Sequence, residues 1–282
     1  MILDFHTHVF PEAIRNRPEA YFASEPEFAM LYDTPKARMA GAAELIAAMD
    51  AEGVDRAVIF GFPWRSRDVF RRHNDYVQEC VQRFPDRLIG FGCFDCLHPE
   101  AADETRRCLE AGMAGIGELA IYGAGIDADG LGRMMPVMAL CREAGVPVLI
   151  HTNEPLGHPY PGKTPNTLAQ IFALIERFAE NRLVLAHWGG GVFFYNLLKK
   201  QVPEKLRNVY FDTAASPFLY DPAIYSVAAA IIGPEKILLG SDFPLIRPGR
   251  YLQEIRSSGL GESAIRCICG QNAAALLALE TA

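Results

Sequence analysis

Eight short apolar runs, spaced along the whole chain, constrain the fold more than any other feature. They are residues 2–5, 56–61, 88–94, 115–119, 146–151, 183–187, 209–212 and 237–240. They are rich in Val, Ile, Leu and Phe without clean alternation, the pattern of parallel strands covered on both faces. Between them, residues 44–52, 76–84, 101–111, 134–144, 167–179 and 225–232 carry helical periodicity. Glycine follows where four of these segments should stop, at Gly53, Gly112, Gly145 and Gly233. Eight β/α units in a half-hydrophobic chain predict one (β/α)8 TIM barrel domain over residues 1–282. An open doubly wound sheet is the structural alternative.

Two connections are long. Residues 9–43 separate the first strand from its helix and carry Pro11, Pro18, Pro26 and Pro35 among the aromatics Phe10, Tyr21, Phe22, Phe28 and Tyr32. An insertion of this length is expected to act as a lid or binding loop, and its aromatics suit a homodimer contact equally well. Residues 152–164 follow strand five. Both connections belong to the C-terminal face, where barrel enzymes keep their chemistry.

Composition narrows the partners. The formal charge is -7 and no Lys/Arg-rich run is present, which disfavours nucleic acid and acidic membrane surfaces. No apolar stretch is long enough to span a bilayer. The N-terminus does not read as a signal peptide, and the seven cysteines are an odd number. Reduced thiols in a cytoplasmic protein with a small-molecule substrate are therefore expected. Cys93 and Cys96 form a C-x-x-C with His98 nearby, but no second pair completes a zinc ribbon, so they read as packing thiols.

The chemistry-bearing residues gather at strand ends. His6 and His8 share one face of an extended strand; alone they are either a metal clamp or two surface histidines. Strand four ends in Glu118, strand five in His151, strand six in His187 before Trp188-Gly189-Gly190-Gly191, and strand eight in Gly240-Ser241-Asp242-Phe243-Pro244. Singly, each has an ordinary role: a hydrogen-bonded imidazole, a helix cap, or for Glu118 a buried partner of Arg or Lys. Six such groups on five strands point to one site at the barrel mouth. This nitrogen and oxygen donor mix suits Zn²⁺ first, with Mn²⁺ and Fe²⁺ as alternatives. Asp4, one step deeper on the face of His6 and His8, reads first as an ordinary buried hydrogen bond and second as an acceptor that orients a ligand histidine.

Other motifs are weaker. Residues 157–164 fit G-x-x-x-x-G-K-[ST], but Pro159 and Pro161 lack the N–H groups that cradle phosphate; a P-loop nucleotide-binding protein is the remote alternative. Residues 115–120 fit G-x-G-x-x-A without a helix directly after them. Trp64 and Arg65 follow strand two and Arg247 follows strand eight. All three are candidates to bind an aromatic or carboxylate group, with salt bridges and loop packing as the alternative.

The ordered set of His6-x-His8, His151, the His187-Trp-Gly-Gly-Gly turn, the Gly-Ser-Asp242-Phe-Pro turn and the closing Gly270-Gln271-Asn272-Ala273-Ala274 resembles the amidohydrolase superfamily over nearly the whole chain. The resemblance is to amidohydrolase family 2, the branch that also holds aminocarboxymuconate semialdehyde decarboxylase and related aromatic-acid decarboxylases. It implies that His6, His8, His151 and Asp242 bind the principal metal. It places His187 on a second metal, on the substrate or on bound water. Glu118 departs from the decarboxylase branch, many of whose one-metal members lack a strand-four carboxylate. Superfamily members that have one use it as a ligand, at times between two ions, so one ion and two both stay open. Residues 154–163 are similar to an EP-x-GH-x-YPGK loop in that branch. His158, Tyr160 and Lys163 are thus candidate substrate contacts, Lys163 for a carboxylate, with a rigid surface loop as the alternative.

The expected function is a metal-dependent hydrolase of a small carboxylate-bearing or carbonyl substrate, acting through a metal-bound hydroxide. Asp242 would shuttle the proton and His187 would polarise the carbonyl. Glu118 favours hydrolysis. The alternative is a metal-dependent non-oxidative decarboxylase of an aromatic or enol acid, and a third possibility is a non-catalytic ligand-binding barrel.

Overall fold

The computed structural model describes residues 1–123, 125–199 and 201–279. Its eight strands are β1 (Leu3–His8), β2 (Arg56–Phe60), β3 (Leu88–Gly92), β4 (Gly115–Leu119), β5 (Pro147–Ile150), β6 (Arg182–Leu185), β7 (Val209–Asp212) and β8 (Ile237–Leu238). They pair in parallel in sequence order, and helices intervene. The barrel is nearly closed. The seam between β8 and β1 is carried by Phe5 N–H to the Leu239 carbonyl at 2.7 Å, Asp242 N–H to the His6 carbonyl at 2.9 Å and His8 N–H to the Phe243 carbonyl at 2.7 Å.

The strands bury both faces, as their unbroken apolar runs require. Inside the barrel, Leu3, Phe5, Val58, Phe60, Phe91, Leu149, Val184 and Leu238 form one cluster, and Ala273 and Leu276 join it from the last helix. Ala57, Ile59, Ile116, Val148 and Leu183 instead face the helices. Of these helices, Ala42–Glu52, Arg67–Arg83, Ala101–Glu110, Ala128–Ala144 and Leu168–Arg177 carry buried faces.

Residues 9–43 are more ordered than their proline content implies. They fold into three short helices, Glu12–Asn16, Glu19–Phe22 and Pro26–Tyr32. Phe10 and Phe28 are wholly buried, and Phe28 packs on Trp64 at 4.4 Å between ring centroids and on Tyr32 at 4.6 Å. Burial of this much aromatic area anchors the segment to the barrel rim. No helix among the described residues is long and apolar enough to cross a membrane.

Two register irregularities aim the strand ends. The β1–β2 pairing shifts between Asp4 and Thr7. Simple alternation therefore fails: Leu3 and Phe5 pack inside the barrel, yet His6 and His8 also reach its mouth. The β4–β5 pairing shifts between Ile116 and Leu119. There Gly117 sits at φ 141°, and a Cβ on it would collide with the Leu149 carbonyl, so glycine is required beside Glu118.

Candidate metal centre and its surroundings

The six strand-end groups come together. Glu118 Oε2 lies 3.7 Å from both His6 Nε2 and His8 Nε2, and Asp242 Oδ1 lies 3.7 Å from His6 Nε2 and 3.4 Å from His8 Nε2. The other Glu118 oxygen, Oε1, is 3.0 Å from His151 Nδ1 and 3.5 Å from His187 Nε2. His6, Glu118 and His187 are buried, and His8, His151 and Asp242 line the opening.

Each imidazole is held through its other nitrogen. His6 Nδ1 donates to Asp212 Oδ2 at 2.7 Å, His8 Nδ1 to the Gly61 carbonyl at 2.9 Å, His187 Nδ1 to the Ala214 carbonyl at 3.0 Å and His151 Nε2 to the Gly162 carbonyl at 3.0 Å. These bonds fix each tautomer so that an unprotonated nitrogen can face Glu118 and Asp242, the outer arrangement that metal-ligating histidines need. His6 Nε2 is buried with no hydrogen-bond partner, a costly state for a polar atom unless something is coordinated there. Donors bound at about 2.0–2.2 Å to one tetrahedral ion stand about 3.3–3.6 Å apart. The 3.4–3.7 Å separations fit that spacing and are too long for hydrogen bonds. The residues therefore fit a divalent cation.

The charge state agrees. Burial disfavours the charged form of His6, but Asp212, Glu118 and Asp242 outweigh it and push its pKa up to about 10. His187 is likewise disfavoured by burial yet raised to about 9 by Glu118 and the nearby aspartates. Burial alone would raise Glu118, but His151 and His6 hold it well below the usual carboxylate range. Asp242 is lowered in the same way, against its burial, by His8, His6 and His187. Without a cation, the cluster balances its two carboxylates with protons on histidine.

Asp212, at the end of β7, is the site residue that strand-end reasoning passed over. Besides His6, its Oδ1 accepts the N–H groups of His187 and Ala214. The run at 209–212 ends in this carboxylate, which is the only signal of it in the sequence. Asp4 does not orient a histidine ring. Burial pushes it up to about 7, and it accepts Ser241 N–H at 2.9 Å and Ser241 Oγ–H at 2.5 Å, fastening the turn that carries Asp242 to β1.

The outer candidates are mostly engaged elsewhere. Trp64 is buried and donates to His73 Nδ1 at 2.8 Å. Arg65 pairs with Glu27, and Arg247 pairs with Glu52 at 2.5 Å; both guanidinium groups are exposed and already engaged. His158 is exposed on its loop. Lys163 and Tyr160 both bind Glu154, at 2.9 Å each, so the loop satisfies its own charge. The nucleotide reading of residues 157–164 fails on the same bonds. The lysine is neutralised, and the next helix begins only at Leu168, capped by Thr167.

Tyr122, not singled out in the sequence, and Tyr32 of the 9–43 insertion stand beside the opening. The Tyr122 ring lies 5.6 Å from that of His151 and nearly parallel to Phe62 at 6.3 Å, 11° between planes. Tyr32 meets Phe62 edge-on at 6.1 Å. Tyr122, Lys163, Thr164 and Asn166 line a cavity of about 390 Å³ beside them.

A family model described as Amidohydrolase matches residues 3–279. Gamma-resorcylate decarboxylase of Rhodococcus jostii is 26% identical over an alignment of 261 positions, covering 77% of this chain and 78% of that protein. The structure of 5-carboxyvanillate decarboxylase from Sphingomonas paucimobilis matches with a TM-score of 0.77 and 19% identity, over 99% of both chains. That of 5-carboxyvanillate decarboxylase from Novosphingobium aromaticivorans, complexed with manganese and 4-hydroxy-3-methoxy-5-nitrobenzoic acid, matches at 0.78 and 16% identity, over 99% of this chain and 96% of that one. All three are decarboxylases, and this overturns the hydrolase expectation. That expectation rested on Glu118, but a carboxylate ligand fixes an ion without deciding whether water or substrate takes its open position.

Proposed function

The chain belongs to the amidohydrolase family, and from that premise we propose that it is a metal-dependent non-oxidative decarboxylase of an aromatic acid. The observation that carries the reading is the aromatic wall of Phe62, Tyr122 and Tyr32 set over a cation-fitting donor cluster. Flat rings favour such walls, and an acid's carboxylate favours the cation. The decarboxylase relatives support the same reading.

His6, His8, Asp242 and Glu118 Oε2 would hold the cation, with His151 and His187 facing Glu118 Oε1. Mn²⁺ is the first candidate, because the relative from Novosphingobium holds manganese; the donors also suit Zn²⁺ and Fe²⁺. The ion would supply a fixed positive charge that orients the acid and offsets its negative charge. His187 is outside the proposed ligand set and faces Glu118 Oε1, which favours its protonated form; it would deliver that proton to the ring carbon that bears the carboxylate. The bond to the carboxylate carbon then breaks, its electron pair returns to the ring, and CO₂ leaves. Asp242, within 4.8 Å of His187 and partly open to the mouth, passes the replacement proton in from solvent.

The test is CO₂ release from a panel of hydroxybenzoates by metal-loaded protein, run beside ester and lactone hydrolysis. CO₂ from at least one acid, lost in His187→Gln, is the expected result. Hydrolysis without CO₂ release overturns the reading.

A further inference from the structure

Two tyrosines enter the mouth from different directions. Tyr32 ends the helix Pro26–Tyr32 of the segment between β1 and its helix, and Tyr122 follows β4. Each is fixed by its ring rather than by its hydroxyl. Tyr32 stacks on Phe28 at 4.6 Å and meets Phe10 at 5.3 Å. Tyr122 is held by Phe62 and His151. Beside Tyr32, Leu31 lies against Gly162, the residue whose carbonyl bonds His151, so the tyrosine-bearing helix and the His151 loop are packed together. Neither phenol oxygen has a hydrogen-bond partner among the described residues, and both residues are partly exposed, so each hydroxyl is free to bond a ligand.

The charge around them is one-sided. After burial, Asp242 and Glu118 raise Tyr32, and Glu118, Tyr32 and Asp242 raise Tyr122 well above its ordinary value. Both hydroxyls therefore stay protonated at any working pH. They are neutral donors next to two carboxylates, able to bind an anionic or phenolic oxygen without adding charge to the cluster.

We propose that Tyr32 and Tyr122 are specificity-determining residues of this site, a pair of neutral donors that binds an oxygen substituent on the ring of the aromatic acid. The proposal rests on the decarboxylase reading. A ring that accepts a proton is helped by an electron-releasing hydroxyl, so a pair that reads such an oxygen also aligns the ring for protonation. The pairing explains why an aromatic helix from the β1 connection is packed down onto the β5 loop: it brings a second hydroxyl to a mouth that β4 supplies with only one.

The test compares 2-hydroxybenzoate with benzoate, by calorimetric binding to the metal-loaded protein and by steady-state CO₂ release. Tyr122→Phe and Tyr32→Phe keep the rings and remove only the hydroxyls. Each variant is expected to weaken 2-hydroxybenzoate binding up to about tenfold, the scale of one lost hydrogen bond to a neutral oxygen, and to raise KM more than it lowers kcat. Benzoate binding should change less than twofold. Equal losses for both acids, or no loss for either, overturn the assignment. If the wild-type protein binds neither acid, the decarboxylase reading falls first and the tyrosine assignment with it. If it binds both but releases no CO₂, only the reaction fails, and the binding comparison still decides the tyrosines.

Discussion

Six side chains of the cluster are legible as strand-end residues, whereas the groups that aim them are not. His6, His8, Glu118, His151, His187 and Asp242 each close an apolar run or open a glycine-rich turn, and the structure joins all six through three overlapping groups of three. Asp212 and the Gly61, Gly162 and Ala214 carbonyls act through contacts far apart in sequence, which spacing cannot express. Replacing Asp212 by Asn exchanges a charged acceptor of His6 for a neutral one and disturbs the turn at His187. Losses of outer partners typically cost 10–100-fold in metal affinity. Chelator competition should show a fall of that size, and unchanged affinity would sink the role given to Asp212. The proton balance gives a second prediction. His6 and His187, raised to about 10 and about 9, are protonated in the cation-free protein at pH 7, and a cation bound to His6 must displace the His6 proton. Loading should therefore release protons, and apparent affinity should climb between pH 6.5 and 8.5. In cation-free protein the sign is opposite for folding: these raised values stabilise the fold fully below pH 6.5 and less as pH rises through 9 to 10. Calorimetry in buffers of different ionisation enthalpy measures the proton count, and a count of zero contradicts the protonated cluster.

At the scale of elements, the strands follow their apolar runs closely, and β4 and β7 match the expected bounds residue for residue. The departures have local causes. The helix Arg67–Arg83 starts well before its apolar stripe, because its first turns bury only Val69, Phe70 and His73 among charged residues. The β1 connection reads as loop from its prolines, but Pro26 sits at the start of a helix, where proline is tolerated. Asp4 takes a different partner because the register shift in β1 breaks the alternation that links it to His6. The turn after β6 is the most demanding element. His187, Trp188 and the three glycines that follow all have positive φ, and a Cβ at Gly190 would strike the Asn153 carbonyl. Gly190→Ala combines left-handed strain with overpacking, about 2–4 kcal/mol together. A thermal midpoint several degrees lower, with reduced cation affinity because His187 is displaced, is expected. A midpoint within one degree of wild type would show that the turn can relax.

At the scale of the whole molecule, the site is also a fastener. The pairings β1–β2 to β7–β8 are ladders, but the last seam, between β8 and β1, has few backbone bonds and the single bridge Thr7–Phe243. The polar groups concentrate there: Asp4 holds Ser241 from one side, and His6 and His8 of β1 face Asp242 from the other. A cation shared by these three ligands would cross-link the barrel where its sheet is weakest. Bound ligand at a hundred times its Kd stabilises by about 2.7 kcal/mol, so a chelator should lower the midpoint by roughly 4–6 °C in a chain of this size. The more discriminating prediction is spatial. Local opening follows local stability, so hydrogen exchange after chelation should accelerate first at the amides of Phe5, His8 and Asp242, which bridge the seam, and change little at the β5–β6 ladder on the opposite wall. Acceleration spread evenly around the barrel would mean that the cation stabilises the fold globally. Protection at the seam that survives chelation would mean that Asp4 and Ser241 close the barrel without it.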